Sequence, residues 1–143
     1  EHVPGDARNG GALFESAGCT GCHQLGNDGG RLGPPLTDIG SRRGAAYLRT
    51  KLFEPASSLP EEFLQVQIVT RNGKRITGIR LNEDTYSIQL RDLSDQLLSF
   101  WKDELVSIEK QPGRTPMPSY RDRFSEGQLD DVVAYLVSLR GAL

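Results

Sequence analysis

Apolar positions first recur at helical spacing. Ala12, Leu13 and Phe14 lead toward Ala17, and residues 41–53 carry Ala45, Leu48 and Leu52 on one face until Glu54-Pro55 ends the run. Between these helices, residues 26–33 are rich in Gly, Asn and Asp, which predicts a loop, and Gly33-Pro34-Pro35-Leu36 predicts an extended turn. From Leu64 the period changes to two. Leu64, Val66 and Ile68 alternate with Gln65 and Gln67, and Asn72-Gly73 follows as a hairpin signal. Ile79 and Leu81 run to a turn at Asn82-Glu83-Asp84, then Tyr86, Ile88 and Leu90 to a turn at 93–96. Leu98 and Phe100, then Val106 and Ile108 after the polar Lys102-Asp103-Glu104, complete four or five short strands over about 63–110. The spacing is similar to that of a small SH3-like or Sm-like antiparallel meander. Helical spacing returns at Leu129, Val132, Val133, Leu136 and Val137, with Gly141 just past the end. Ser125 and Gln128 form a capping box there, and Asp130-Asp131 suits the dipole. No internal repeat is visible.

Composition narrows the class. At 143 residues one domain is expected, and 36% hydrophobic with 25% charged residues describes a globular chain. No apolar run approaches the roughly 18–20 residues of a membrane span, so no direct membrane insertion is expected. Charge is balanced along the chain, with Lys+Arg 17 against Asp+Glu 19. No stretch is basic enough for a nucleic-acid partner, and the strands lack the aromatic and basic interleaving that RNA stacking needs. Gly 16 and Pro 8 imply short elements held by more than a continuous core.

The two cysteines suggest what else holds them. Cys19-Thr20-Gly21-Cys22-His23 has the spacing of covalent haem attachment. Two residues between the thiols let both sulfurs reach vinyl groups along one side of a porphyrin, and the adjacent imidazole then sits under the iron. A redox dithiol, half a zinc site and a disulfide across the loop are the competing readings. Zinc is disfavoured because no further cysteine exists and the other histidine is His2. A carbonyl of Pro34 or Pro35 is placed to accept the His23 Nδ1–H and leave Nε2 for iron. The competing role for either proline is a stiffener of the loop.

The single methionine stands in Thr115-Pro116-Met117-Pro118-Ser119-Tyr120. A thioether on a loop stiffened by two prolines suits the iron face opposite His23, and a gap-filling methionine is the alternative. His2 is a poor candidate ligand. Leu36, Ile39, Leu48, Tyr120, Phe124 and Tyr135 are candidate haem walls, since a buried cofactor needs apolar cover. Arg42, Arg43, Tyr47 and Trp101 are candidate propionate donors.

With these motifs in place the chain resembles a class I, mono-haem c-type cytochrome. The haem motif, the Gly-Pro loop, the Met-Pro loop and the C-terminal helix carry the likeness. It departs from that family in the 94 residues from His23 to Met117, where a strand meander replaces a short helix or loop. Leu52-Phe53-Glu54-Pro55-Ala56, Asn72-Gly73, Gly78 and Met117-Pro118 look like the haem-binding domains with a β insert in planctomycete-like and acidobacterial proteins. The resemblance implies a mostly α cytochrome c fold with an inserted small antiparallel β-meander, α+β overall. It implies one domain over 1–143, its core from 6–54 and 112–143, its insert at about 63–110. It implies one haem c with thioethers to Cys19 and Cys22, axial ligands His23 and Met117, and Pro34 or Pro35 supporting His23. It also implies that the helix near Phe14 crosses the helix near Tyr135.

The expected function is one-electron transfer by a carrier rather than an enzyme, because both axial positions are filled. The expected partners are redox proteins, or a dehydrogenase domain of the same polypeptide, met through a small interface. Thioether attachment implies a periplasmic or otherwise exported chain whose leader is missing from this sequence, since Glu1-His2-Val3-Pro4 has no apolar core. A haem sensor or gas-binding module with a labile Met117 is the main alternative. A peroxidase is disfavoured, because beyond His2 no distal histidine is available.

Overall fold

The computed structural model describes residues 3–141, which form two compact units. The first unit is Glu1–Ser57 with Pro118–Leu143, and the second is Ser58–Met117. The chain combines helices with antiparallel sheets, so its class is α+β. Among the described residues no helix is long and apolar enough to cross a membrane.

In the first unit, α1 (Ala7–Ser16) begins where the Asp6 carboxylate accepts Arg8 N–H at 2.9 Å and Asn9 N–H at 3.4 Å. α4 (Glu126–Ser138) begins at the expected capping box, Gln128 N–H to Ser125 Oγ at 3.2 Å and Ser125 N–H to Gln128 Oε1 at 2.9 Å. The two helices cross closely because Gly10 has no side chain, and a Cβ there would lie 1.8 Å from the Asp131 carbonyl oxygen. Phe14 meets Tyr135 at 5.3 Å between ring centroids, so the expected crossing of these two helices is present. Asp131 secures it by accepting Asp6 N–H at 2.7 Å and Asn9 Nδ2–H at 2.6 Å.

The single helix expected over 41–53 is two. α2 (Ile39–Arg42) and α3 (Ala45–Phe53) are separated by Arg43 and Gly44, both extended. Gly44 weakens a continuous helix, and Arg42 is held back toward α2 by Asp38 at 2.9 Å and the Pro35 carbonyl at 2.9 Å. α3 buries Leu48 and Leu52 as its spacing predicts, and its Arg49 pairs with Glu126 at 2.7 Å and Asp130 at 3.0 Å. The glycine-rich loop holds a small hairpin, β1 (Gln24–Leu25) with β2 (Asp28–Gly29), that composition alone conceals.

The second unit contains β3 (Gln65–Thr70), β4 (Arg75–Glu83), β5 (Ser87–Asp92), β6 (Leu97–Trp101) and β7 (Leu105–Lys110). The expected meander holds for four strands, but the fifth leaves it: the order is β6-β5-β4-β3-β7. β6 and β7 are thus at opposite ends of the sheet, yet only Lys102–Glu104 join them. A flat sheet would separate them by about 19 Å, and that linker spans about 14 Å at most. The sheet is therefore strongly curled around Val66, Ile68, Ile88, Leu90 and Leu105, with Leu98, Phe100 and Ile108 packed against them.

Three apolar positions depart from strict alternation. A register shift between Arg80 and Asn82 leaves Leu81 exposed although Ile79 is buried. A second irregularity between Val69 and Thr70 sets Leu105 in the core and exposes Val106. Tyr86 lies in the turn before β5 and is exposed.

Glu83 ties this curled sheet together. It accepts Lys102 Nζ at 2.8 Å, Arg80 at 2.9 Å and Lys110 Nζ at 3.3 Å, so the end of β4 is bonded to the residue after β6 and to the end of β7. The Lys102 hydrogen bond is the largest cause that lowers its carboxyl to about 2, with Arg80 and Lys110 adding to it against the opposing effect of burial. The folded chain therefore keeps the carboxylate ionised where the unfolded chain takes up a proton. The stability it contributes is full above about pH 4.5 and is lost as pH falls toward 2. Glu83→Gln is expected to lower stability at pH 7 by about 1–2 kcal/mol, after allowance for screening, and to flatten that acid limb. Denaturant titrations at pH 7 and pH 3 measure both; parallel losses for the two proteins at low pH would refute it.

Candidate cofactor-attachment site

The attachment residues lie on one tight turn of the first unit. α1 ends at Ser16 with Ala17 as its cap, and the next residue, Gly18, has a left-handed φ of 77° that suits glycine. The chain then forms a 3-10 turn over Cys19–Gly21, and the Cys19 carbonyl accepts Cys22 N–H at 3.2 Å and His23 N–H at 3.0 Å. The following loop folds back on the turn. Gly30 N–H reaches the Thr20 carbonyl at 2.9 Å, and Gly33 N–H reaches the Cys22 carbonyl at 2.7 Å. The CxxCH segment is thus held by backbone bonds on both sides. Cys19 and Cys22 are not joined in a disulfide.

His23 is oriented by its neighbours. Its Nδ1 lies 2.7 Å from the Pro34 carbonyl oxygen. A carbonyl only accepts, so Nδ1 carries the proton and Nε2 presents a lone pair. Burial pushes the imidazole pKa below its ordinary value while the Pro34 carbonyl opposes that shift. The ring at neutral pH is therefore the uncharged ligand form. Gly33 packs against it, and a Cβ there would stand 2.6 Å from His23 Cε1 and 2.9 Å from Nδ1.

Cys19 is partly buried, and its thiol pKa is raised by that burial while a hydrogen bond from Tyr120 opposes the rise. The Tyr120 hydroxyl is itself held above its usual range, first by burial and then by the Cys19 charge and hydrogen bond. Tyr120 is 6% exposed, stacks on Phe124 at 5.2 Å, and donates its N–H to the Leu52 carbonyl at 2.8 Å.

The other sequence candidates fall in several places. Pro34, not Pro35, faces His23; the Pro35 carbonyl is occupied by Arg42. Ile39 and Leu48 are buried, and Leu36 is half-buried with its N–H on the Gln24 carbonyl at 2.9 Å. Arg42 is exposed and already bonded to Asp38, and Arg43 lies over the Tyr47 ring at 4.7 Å. Trp101 and Met117 belong to the second unit. Trp101 is 63% exposed, and Met117 is half-buried with its N–H on Thr115 Oγ1 at 3.2 Å. His2 lies outside the described residues.

Sequence reasoning missed Leu32 and Gly33. Leu32, the lone apolar residue among the loop glycines, is buried, and its isolation just before Gly-Pro-Pro was the available signal. Gly33 was legible as a turn residue but not as the surface against which the imidazole lies. Two thiols on one turn and a neutral, oriented imidazole fit a covalently attached haem. A sequence model of the cytochrome c family matches residues 7–84, more than half of the chain. No curated protein matches it closely enough to count as a relative.

Gly33→Ala is expected to lower stability by about 1–3 kcal/mol by overpacking against the imidazole. It should also abolish the slowly exchanging His23 Nδ1–H signal in proton NMR. Retention of that signal at wild-type exchange would show that the ring does not depend on Gly33.

Proposed function

Because this chain belongs to the cytochrome c family, a haem-binding electron-transfer family, we propose that it carries single electrons through one haem c. That haem is bonded by thioethers to Cys19 and Cys22, with His23 Nε2 and Met117 sulfur as axial ligands. When bound, haem supplies reversible one-electron exchange between ferric and ferrous iron. The observation that carries the reading is the His23 Nδ1–H···Pro34 bond beside the double-cysteine turn, since it leaves Nε2 with its lone pair. That nitrogen needs no proton loss before ligation.

Met117 is supported by its chemistry and its place in the chain. It is the single methionine, stands between Pro116 and Pro118, and comes three residues before the buried Tyr120. Methionine as the second ligand raises the potential relative to two imidazoles. In this reading the chain is a cytochrome c fold whose second unit is an insert, and filled axial positions make it a carrier. Its partners are redox proteins or a dehydrogenase domain of the same polypeptide, on the periplasmic or exported side of the membrane.

Met117→Ala tests the axial ligand. The wild-type ferric protein is expected to show a far-red sulfur-to-iron band that disappears on reduction, and its ferrous form should resist carbon monoxide. The variant should lose the band, bind carbon monoxide promptly and fall in potential. An unchanged spectrum and potential would remove Met117 from the iron.

A further inference from the structure

Strand β6 is an open edge. Among the described residues its one neighbour in the sheet is β5, and the register between them runs without a shift from Ser87↔Trp101 to Arg91↔Leu97. The bonds at the two ends of this ladder fix which way the backbone faces. Asp92 N–H reaches the Gln96 carbonyl at 2.9 Å and Lys102 N–H reaches the Tyr86 carbonyl at 2.7 Å, so the even-numbered positions along β6 are the ones bonded to β5. Leu97, Ser99 and Trp101 therefore turn their N–H and C=O groups away from β5. The Trp101 N–H is taken by Glu104 Oε1 at 2.8 Å, which closes the edge at that end.

Sheet edges are ordinarily blunted by charge, by proline or by a bulge. β7, at the other end of the sheet, carries Glu109 and Lys110 and has an irregular register with β3. β6 has none of these devices: it reads Leu97-Leu98-Ser99-Phe100-Trp101. Leu97 is 66% exposed and Trp101 63%, and as next-but-one neighbours of Ser99 they share one face of the strand.

We infer that β6 is the contact between two copies of this chain, paired antiparallel about a twofold axis at Ser99. A second copy is the occupant because the strand is complementary to itself. In that register Leu97 faces Trp101 of the second copy on the outer face, and Leu98 faces Phe100 on the inner face, so each pair sets an aliphatic side chain against an aromatic one. Ser99 N–H meets the Ser99 carbonyl in both directions. Leu97 N–H meets the Trp101 carbonyl, the group that the Glu104 cap leaves open. No charged side chain within the strand opposes the approach. Leu98 and Phe100 already pack at the margin of the core cluster, so their pairing extends one core toward the other. The contact does not depend on the haem reading, and it places two attachment turns in one particle.

The test is sedimentation equilibrium of the full chain, expressed in a host that attaches haem, over a concentration series. Wild type is expected to pass from one chain to two. Ser99→Pro removes the central outward N–H from each copy at a position where an edge strand tolerates proline. It should raise the dissociation constant about thirtyfold, the equivalent of two lost hydrogen bonds. Leu97→Lys, at an exposed position, places a charge on the edge and should weaken the dimer in the same direction. Val106→Lys, exposed on β7, should dimerise as wild type does. Amide exchange supplies the register: Leu97 and Ser99 N–H should slow with rising concentration, while Leu98 and Phe100, bonded to β5, stay protected throughout. A wild-type chain that is monomeric at every concentration would overturn the inference. So would a dimer that survives both β6 substitutions, or one that Val106→Lys abolishes.

Discussion

The bond between His23 Nδ1–H and the Pro34 carbonyl is the constraint on which the functional end of the first unit depends. A carbonyl can only accept, so the bond decides the tautomer, and the tautomer decides which nitrogen is left for a metal. The surrounding backbone serves that bond. Pro34 comes within reach because Gly33 N–H is tied to the Cys22 carbonyl, and Gly33 leaves space for the ring. The loop from 26 to 33 lies against the attachment turn through Gly30 and Thr20. Composition predicts only a loop here, whereas its hydrogen bonds and Gly33 set it against the attachment turn and the imidazole.

The helices around the turn are organised by a different requirement. α1 and α4 approach at Gly10, where the Asp131 carbonyl takes the space of a side chain. Asp131 itself binds Asp6 and Asn9 at the start of α1. One residue of α4 thus contributes backbone to the close approach and a carboxylate to the cap. Its carboxyl pKa is depressed first by the Asp6 N–H bond, then by Asn9. The end of α3 receives the 119–121 segment through Ser119 Oγ on the Phe53 carbonyl and Tyr120 N–H on the Leu52 carbonyl.

The second unit solves a separate problem, how some sixty residues fold around a small core. Its central cluster of five buried side chains is small, and the charge cluster at Glu83 supplements it by joining the end of β4 to the residue after β6 and to the end of β7. The three-residue link between the outermost strands forces the curl. These contacts are internal to the unit.

Local pattern alone determined much of this protein. The CxxCH turn, the capping box at Ser125 and Gln128, the face of α3 with Leu48 and Leu52, and the alternation of Val66 with Ile68 and of Ile88 with Leu90 are all contained in spacing a few residues long. Backbone geometry ties such spacings directly to elements. The tertiary structure decided what depends on distant partners. It chose Pro34 over Pro35, split 41–53 at Gly44, sent β7 to β3 and turned Val106 outward in favour of Leu105. It also fastened Ser119 to the Phe53 carbonyl, 66 positions away in the sequence. Each of these outcomes turns on one acceptor, one register shift or one linker length, and hydrophobic periodicity carries no information about any of the three.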